Sequence, residues 1–297
     1  FFYPISDLSF GRSFIKALGL IKQSAAETNL ELNLLDKKIA ESIIISAQEV
    51  IDGDHDDSFV VDIFQTGSGT STNMNVNEVI SNLAISKMGG EIGSRNPVHP
   101  NDHVNKGQSS NDVIPTAIHI AAAISIKDDL VPSMKILKKS LQKKSDEFWN
   151  IVKTGRTHLQ DATPIRLGQE FKGYYGQIEN SIKKVNSGLD ELSVLALGGT
   201  AVGTGIGMNP EFCGSVISKI SDKTGINFSE TENHFQSQST IDGIVYASGC
   251  VRSFAVSLMK IANDIRWLGS GPRAGIGELN LPEVQPGSSI MPGKVNP

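Results

Sequence analysis

The closing run Gly287-Ser288-Ser289-Ile290-Met291-Pro292-Gly293-Lys294-Val295-Asn296-Pro297 decides how the rest of the chain is read. Two adjacent hydroxyls precede a glycine, an ammonium and an amide, with prolines on either side. Gly287 and Gly293 permit backbone angles that other residues avoid. Pro286, Pro292 and Pro297 remove entropy from an otherwise loose loop. Such a loop suits closure over a small polar ligand. Lys294 offers a point charge, Asn296 a donor and an acceptor, and the serines a proton acceptor.

Three upstream clusters repeat this chemistry. Residues 66–73 read Thr-Gly-Ser-Gly-Thr-Ser-Thr-Asn, residues 105–111 Asn-Lys-Gly-Gln-Ser-Ser-Asn, and residues 155–161 Gly-Arg-Thr-His-Leu-Gln-Asp. Each is expected at a loop-to-helix junction, where backbone N–H groups and the positive helix end favour anions. For residues 66–73 an ordinary Ser/Thr helix cap is an equally simple reading. Hydroxyls, amides, one lysine and one histidine suit a small polyanion and proton transfer. The clusters hold no metal shell and no cofactor motif. Residues 197–207 contain five glycines in eleven positions but neither nucleotide-loop pattern, so they read as a tight connector.

The 297-residue chain as a whole sets limits. Its apolar share of 39% supports a substantial core, and its net charge of -5 argues against nucleic acid as a partner. Cys213 and Cys250 give neither a disulfide framework nor metal spacing. No apolar run approaches the ~18 residues of a membrane span, so a cytoplasmic setting is expected. The chain starts at Phe1, so a removed leader, and with it a mitochondrial setting, stays open.

Periodicity predicts a mainly α protein with few strands. Helices are expected from Ser13, from an Asp36 cap to Gly53, from Asn73 to Lys87, and from Asp112, with Pro115 in its first turn and Ile118, Ala121, Ala122 and Ser125 buried. Further helices follow Pro132 and Pro164. A last one runs from Ser239 to about Leu268, with Ile241, Val245, Val251, Ala255, Leu258, Ala262 and Ile265 facing inward. Residues 59–65 read as a short strand or helix.

The segments TGSGTSTNMNVNEV, HPNDHVNKGQSSND, GRTHLQDATPIRLGQEF, LGGTAVGTG and GSSIMPGKVNP resemble, in order and spacing, the fumarase/aspartase superfamily. The resemblance covers essentially the whole chain. Within it they look most like the class II fumarases, which interconvert (S)-malate and fumarate plus water. Ser68 and Ser110 point that way, since aspartases typically carry alanine and threonine there. The resemblance implies an L-aspartase-like fold. That fold has a small N-terminal helical domain, residues 1–106, and a long central helix bundle, residues 107–297. On this resemblance the bundle is expected to be incomplete at its C-terminal end and the C-terminal domain to be absent.

It also implies a metal-independent, cofactor-free hydro-lyase working as a homotetramer, with active sites shared between subunits. Ser288 would be the base and His158 the residue linked to proton transfer at the departing hydroxyl. Ser68, Gly69, Thr70, Ser109, Ser110, Asn111, Thr157, Ser289, Lys294, Val295 and Asn296 would bind substrate. His99, Pro100, Asn101 and Asp102 would form a secondary dicarboxylate site. An aspartate ammonia-lyase of the same fold, or a non-catalytic structural protein on this scaffold, are the alternatives.

Overall fold

A computed structural model describes residues 3–287 and 289–297. The chain is mainly helical, as periodicity predicts. Its elements run α1 (Arg12–Glu31), α2 (Lys37–Asp52), α3 (Thr70–Lys87), α4 (Ser110–Ser125), α5 (Val131–Glu147), β1 (Val152–Thr157), β2 (Gln160–Arg166), α6 (Leu167–Leu192), β3 (Val194–Leu195), α7 (Phe212–Thr224), β4 (Ser229–Glu230), α8 (His234–Ser239) and α9 (Asp242–Leu268). π-helical turns at Pro100–Val104 and Ile126–Leu130 precede α4 and join α4 to α5. They were not foreseen. The chain groups into two compact units, Phe1–Pro132 with Asn186–Ala247, and Ser133–Val185 with Ser248–Pro297.

In the first unit, α1 packs against α2, α4 and α7, and α2 against α3. Phe14, Leu18, Ile21 and Ala25 are buried at helix spacing. Gly19 lets α2 come close: a Cβ there would lie 2.9 Å from Ile51 Cγ1. Helix α2 starts where its sequence says it should. The Asp36 carboxylate accepts from the Lys38 and Ile39 N–H groups, and Gly53 closes the helix at φ 95°. Residues 59–65 form neither strand nor helix. They are held as a link instead, Asp62 accepting from the Phe64 N–H at 2.8 Å and Leu8 O from the Ile63 N–H at 3.3 Å.

Helix α4 differs from its expected register. It begins at Ser110, so Pro115 is an interior residue rather than a first-turn one. Its buried face is Val113, Thr116, Ala117, Ile120, Ala121 and Ala123; of the expected stripe only Ala121 is buried. The small side chains on both flanks left the sequence pattern without a clear face.

In the second unit, β1 and β2 pair antiparallel, Thr157 opposite Gln160. The third polar cluster is therefore a hairpin and not a loop-to-helix junction. Ser145 Oγ donates to Gly168 O at 2.8 Å, tying α5 to the start of α6. Phe148, Phe171 and Tyr174 stack edge to face at 5.2 and 5.4 Å.

The expected helix from Ser239 is α9, which starts three residues later, at Asp242, because Thr240 is extended at φ -128°, ψ 165° and closes α8 at Ser239. The buried edge of α9 is Ala247, Cys250, Phe254, Ile261 and Leu268. Ile241 and Val245, expected inside, are exposed. α9 also corrects the reading that no run reaches membrane length. It is long and apolar enough to span one, with a mean hydropathy of 1.3 over 18 residues. Arg252 and Lys260, with glycines and serines between the large apolar residues, interrupt the run in the sequence.

Candidate functional site

Two helix starts meet at one cleft of the first unit. Gly67, Ser68 and Gly69 lead into α3, and Ser110 and Asn111 open α4; all five line a cleft of about 460 Å³ with Ile114, Ile118 and Gln238. Gly69 stands at the N-cap of α3 with φ 76° and supplies no side-chain cap. The simple Ser/Thr-cap reading of residues 66–73 therefore fails, and the first N–H groups of α3 keep no side-chain cap. Ser68 Oγ lies 3.1 Å from Thr70 Oγ1 at this end. A Cβ on Gly69 would come within 2.9 Å of Ile114 Cγ2, so the cleft wall requires glycine there.

The start of α4 is closed by a capping box. Ser109 N–H donates to Asp112 Oδ1 at 2.9 Å, and the Ser109 hydroxyl accepts from the Asn111 N–H at 3.3 Å. Asn111 Nδ2 donates to Ala201 O at 2.7 Å, and Asp112 Oδ2 accepts from the Gly198 and Thr200 N–H groups at 3.2 and 2.9 Å. The backbone of the glycine-rich connector is thus fixed against α4 by hydrogen bonds with the Asn111 and Asp112 side chains, as a tight connector should be. Burial pushes the Asp112 carboxyl up to about 6, against the three N–H groups and the field of Lys22.

Next to it, Asn101, Asp102 and Ser109 line a second cleft with Thr200, Ala201 and Ile206, of about 620 Å³. His99 is committed locally: its Nδ1 accepts from the Asn101 and Asp102 N–H groups at 3.3 and 3.2 Å. Pro100 is buried. The His99 N–H in turn donates to His103 Nδ1 at 2.9 Å. Desolvation lowers the His103 imidazole, with Asp102 opposing.

The second unit carries the other expected residues. Thr157 ends β1, and His158 and Leu159 make the two-residue turn, at φ 53° and 61°. Positive φ at both turn positions is what a two-residue hairpin turn demands. His158 is exposed. The β1 strand is braced by charge: Arg156 Nη2 lies 2.6 Å from Glu278 Oε1, and Lys153 Nζ 2.8 Å from Glu278 Oε2 and 3.0 Å from Glu170 Oε1.

The closing loop is pinned at its ends. Gln285 bridges Asn296, whose backbone oxygen accepts from the Val284 and Gln285 N–H groups. The Asn296 side chain donates to Pro286 O at 2.9 Å, so it secures the loop itself. Ser289, Lys294 and Val295 are exposed. Ser288, the expected base, lies outside the described residues.

The structure therefore brings Ser68, Gly69, Ser110 and Asn111 to one cleft and Asn101, Asp102 and Ser109 to its neighbour. Thr157, His158 and the closing loop belong to the other unit. Sequence reasoning missed a buried polar chain behind the first cleft. Asn73 Nδ2 donates to Ser110 Oγ at 2.9 Å and to Asn105 Oδ1 at 3.3 Å, and Lys22 Nζ donates to the same Asn105 oxygen at 2.8 Å. Lys22 and Asn73 are fully buried. Burial lowers the Lys22 amine to about 7, with Asp112 opposing.

Known proteins resemble this chain in sequence and fold. The chain is 56% identical to a class II fumarate hydratase of Caulobacter vibrioides, over 95% of this chain and 61% of that one. It is 54% identical to the mitochondrial fumarate hydratase of Rattus norvegicus, over 95% of this chain and 56% of that one. The fold superposes on the crystal structure of a class II fumarase from Schistosoma mansoni with a TM-score of 0.94 and 40% identity. That match covers 97% of this chain and 63% of that one. The chain spans about three fifths of the length of the curated relatives it matches. A family model described as Lyase matches residues 5–297, and on that span the chain belongs to the lyase family.

Proposed function

We propose that this chain is the larger part of a class II fumarate hydratase, adding water reversibly to fumarate to give (S)-malate. The observation that carries this reading is its 56% identity, over 95% of the chain, to a protein of that name. The geometry supports it. Two helix starts, at Gly69 and Ser109, open on clefts where hydroxyls and amides stand among apolar side chains, and the positive helix ends favour a dianion.

In this reading the reaction is an anti elimination through an aci-carboxylate carbanion. Ser288 removes the C3 proton of malate, its alkoxide held by N–H groups and Lys294. Lys294, Asn296, Ser109, Ser110 and Asn111 stabilise the added negative charge. His158 handles the proton at the departing hydroxyl through a water. Ser68, Gly69, Thr70 and Thr157 hold carboxylate oxygens, with Ser289 and Val295 alongside. Residues 99–102 form the secondary dicarboxylate site. The whole protein is a homotetramer of the tricarboxylic acid cycle, divided at residues 106 and 107. It works in the cytoplasm, or in mitochondria where a leader is removed.

The test is a direct assay of the intact protein. Fumarate absorbance should fall with formation of (S)-malate, and aspartate should not be deaminated. Turnover of aspartate in place of malate overturns the reading, and full activity in Ser288→Ala overturns the assignment of Ser288 as the base.

A further inference from the structure

The buried amine of Lys22 has no part in the reading above, and its surroundings are unusually well determined. Its Nζ donates to Asn105 Oδ1 at 2.8 Å and to Gln108 Oε1 at 3.0 Å. Neither amide is free to turn. Asn105 Nδ2 donates to Gln108 O at 3.2 Å, and Gln108 Nε2 donates to Val104 O and Lys106 O, each at 3.2 Å. The space around Nζ is thus lined by oxygens and accepts only a donor. The two oxygens face the amine in either of its protonation states.

The order continues toward the cleft. Asn105 Oδ1 also accepts from Asn73 Nδ2 at 3.3 Å, and that same amide nitrogen donates to Ser110 Oγ at 2.9 Å. Turning Asn73 over would set two amide oxygens against each other in a dry interior. Ser110 Oγ therefore receives its hydrogen from the protein, which leaves its own O–H for the cleft it lines.

We propose that Lys22 is a positioning residue for this cleft: through Asn105 and Asn73 it holds Ser110 as a hydrogen-bond donor to the ligand. The ligand atom at Ser110 is then an acceptor, such as a carboxylate oxygen. The proposal rests on the reading of the cleft as a dicarboxylate site. It explains why a lysine is kept fully buried in α1, where an apolar residue of similar volume would leave the Gln108 oxygen without a donor and the Asn105 oxygen with only its longer bond from Asn73.

A double-mutant cycle on fumarate hydration by the intact protein tests it. Lys22→Met should lower kcat/KM by about tenfold or more with Ser110 present, and by less than about threefold in the Ser110→Ala background. Equal losses in both backgrounds, or no loss in either, overturn the proposal, since general loosening acts on both alike. Should Lys22→Met fail to fold, Asn73→Asp reads the same link. Its carboxylate accepts where the amide donated, so Ser110 turns its hydrogen inward, and the same dependence on Ser110 is expected. A wild-type protein that neither binds nor hydrates fumarate brings down the functional reading alone. The crystal structure of Asn73→Asp or Lys22→Met then decides the positioning. A Ser110 side chain unmoved in both variants overturns it, and a changed Ser110 rotamer supports it.

Discussion

Asp112 Oδ2 accepts the Thr200 N–H at 2.9 Å, joining positions 88 residues apart. The bond fixes the glycine-rich connector to the helix that carries Ser110. Asp112→Asn turns an NH2 group toward the Gly198 or Ser109 N–H groups and orphans at least one buried donor. A loss of about 2–4 kcal/mol is expected, read as a lower urea midpoint.

The same carboxyl predicts a pH dependence. Its folded value, about 6, lies above the ordinary 3.8 because burial outweighs its hydrogen bonds. The native state then binds more protons than the unfolded one between those values. The stability from this group is fully present below about pH 4 and is lost as pH rises through 6. A change of that size corresponds to about 3 kcal/mol. Urea titrations from pH 4 to 7 should show the fall, and Asp112→Asn should flatten it.

Gly69→Ala tests the wall of the cleft. The residue sits at φ 76° and an added Cβ meets Ile114 at 2.9 Å. Strain and crowding together should cost about 1–3 kcal/mol. In the assay of the proposed function, KM should rise with little change in thermal cooperativity.

Leu159→Gly should have the opposite sign. Leu159 is exposed and held at φ 61°, a conformation that glycine takes without penalty. A gain of about 1 kcal/mol is expected, seen as a higher Tm.

Glu278 is the acceptor of the charge brace on β1. Burial pushes its carboxyl up, but Arg156 and Lys153 more than offset this and hold it below the ordinary range. Its contribution is present above the unfolded value, near 4.5, and is lost as pH falls through the lower folded value. Glu278→Gln should cost about 2 kcal/mol at neutral pH and nothing in strong acid, by chemical denaturation.

Local signals explain what the sequence made legible. Asp36 and Gly53 bracket α2 with cap chemistry that needs no tertiary context, and the Phe14, Leu18, Ile21 stripe of α1 is unbroken. The hairpin at residues 152–166 was hidden because its turn is His158-Leu159 and carries no glycine or asparagine. The face of α9 was misread because Ile241, Val245, Val256 and Met259 are as apolar as the buried edge, yet exposed. Of the site, the residues at the two helix starts were readable from their hydroxyls and glycines. Lys22 was not, because a helical lysine ordinarily faces water and only the folded chain shows it enclosed.

The Lys22 contacts also bear on when the cleft comes into being. The amine meets its partners 83 and 86 positions further along the chain. During synthesis α1 leaves the ribosome long before the oxygens that will hold its lysine. The polar chain behind the cleft therefore cannot close until residue 108 has emerged, and by the proposal above a lesion in the first helix would reach the cleft from a distance.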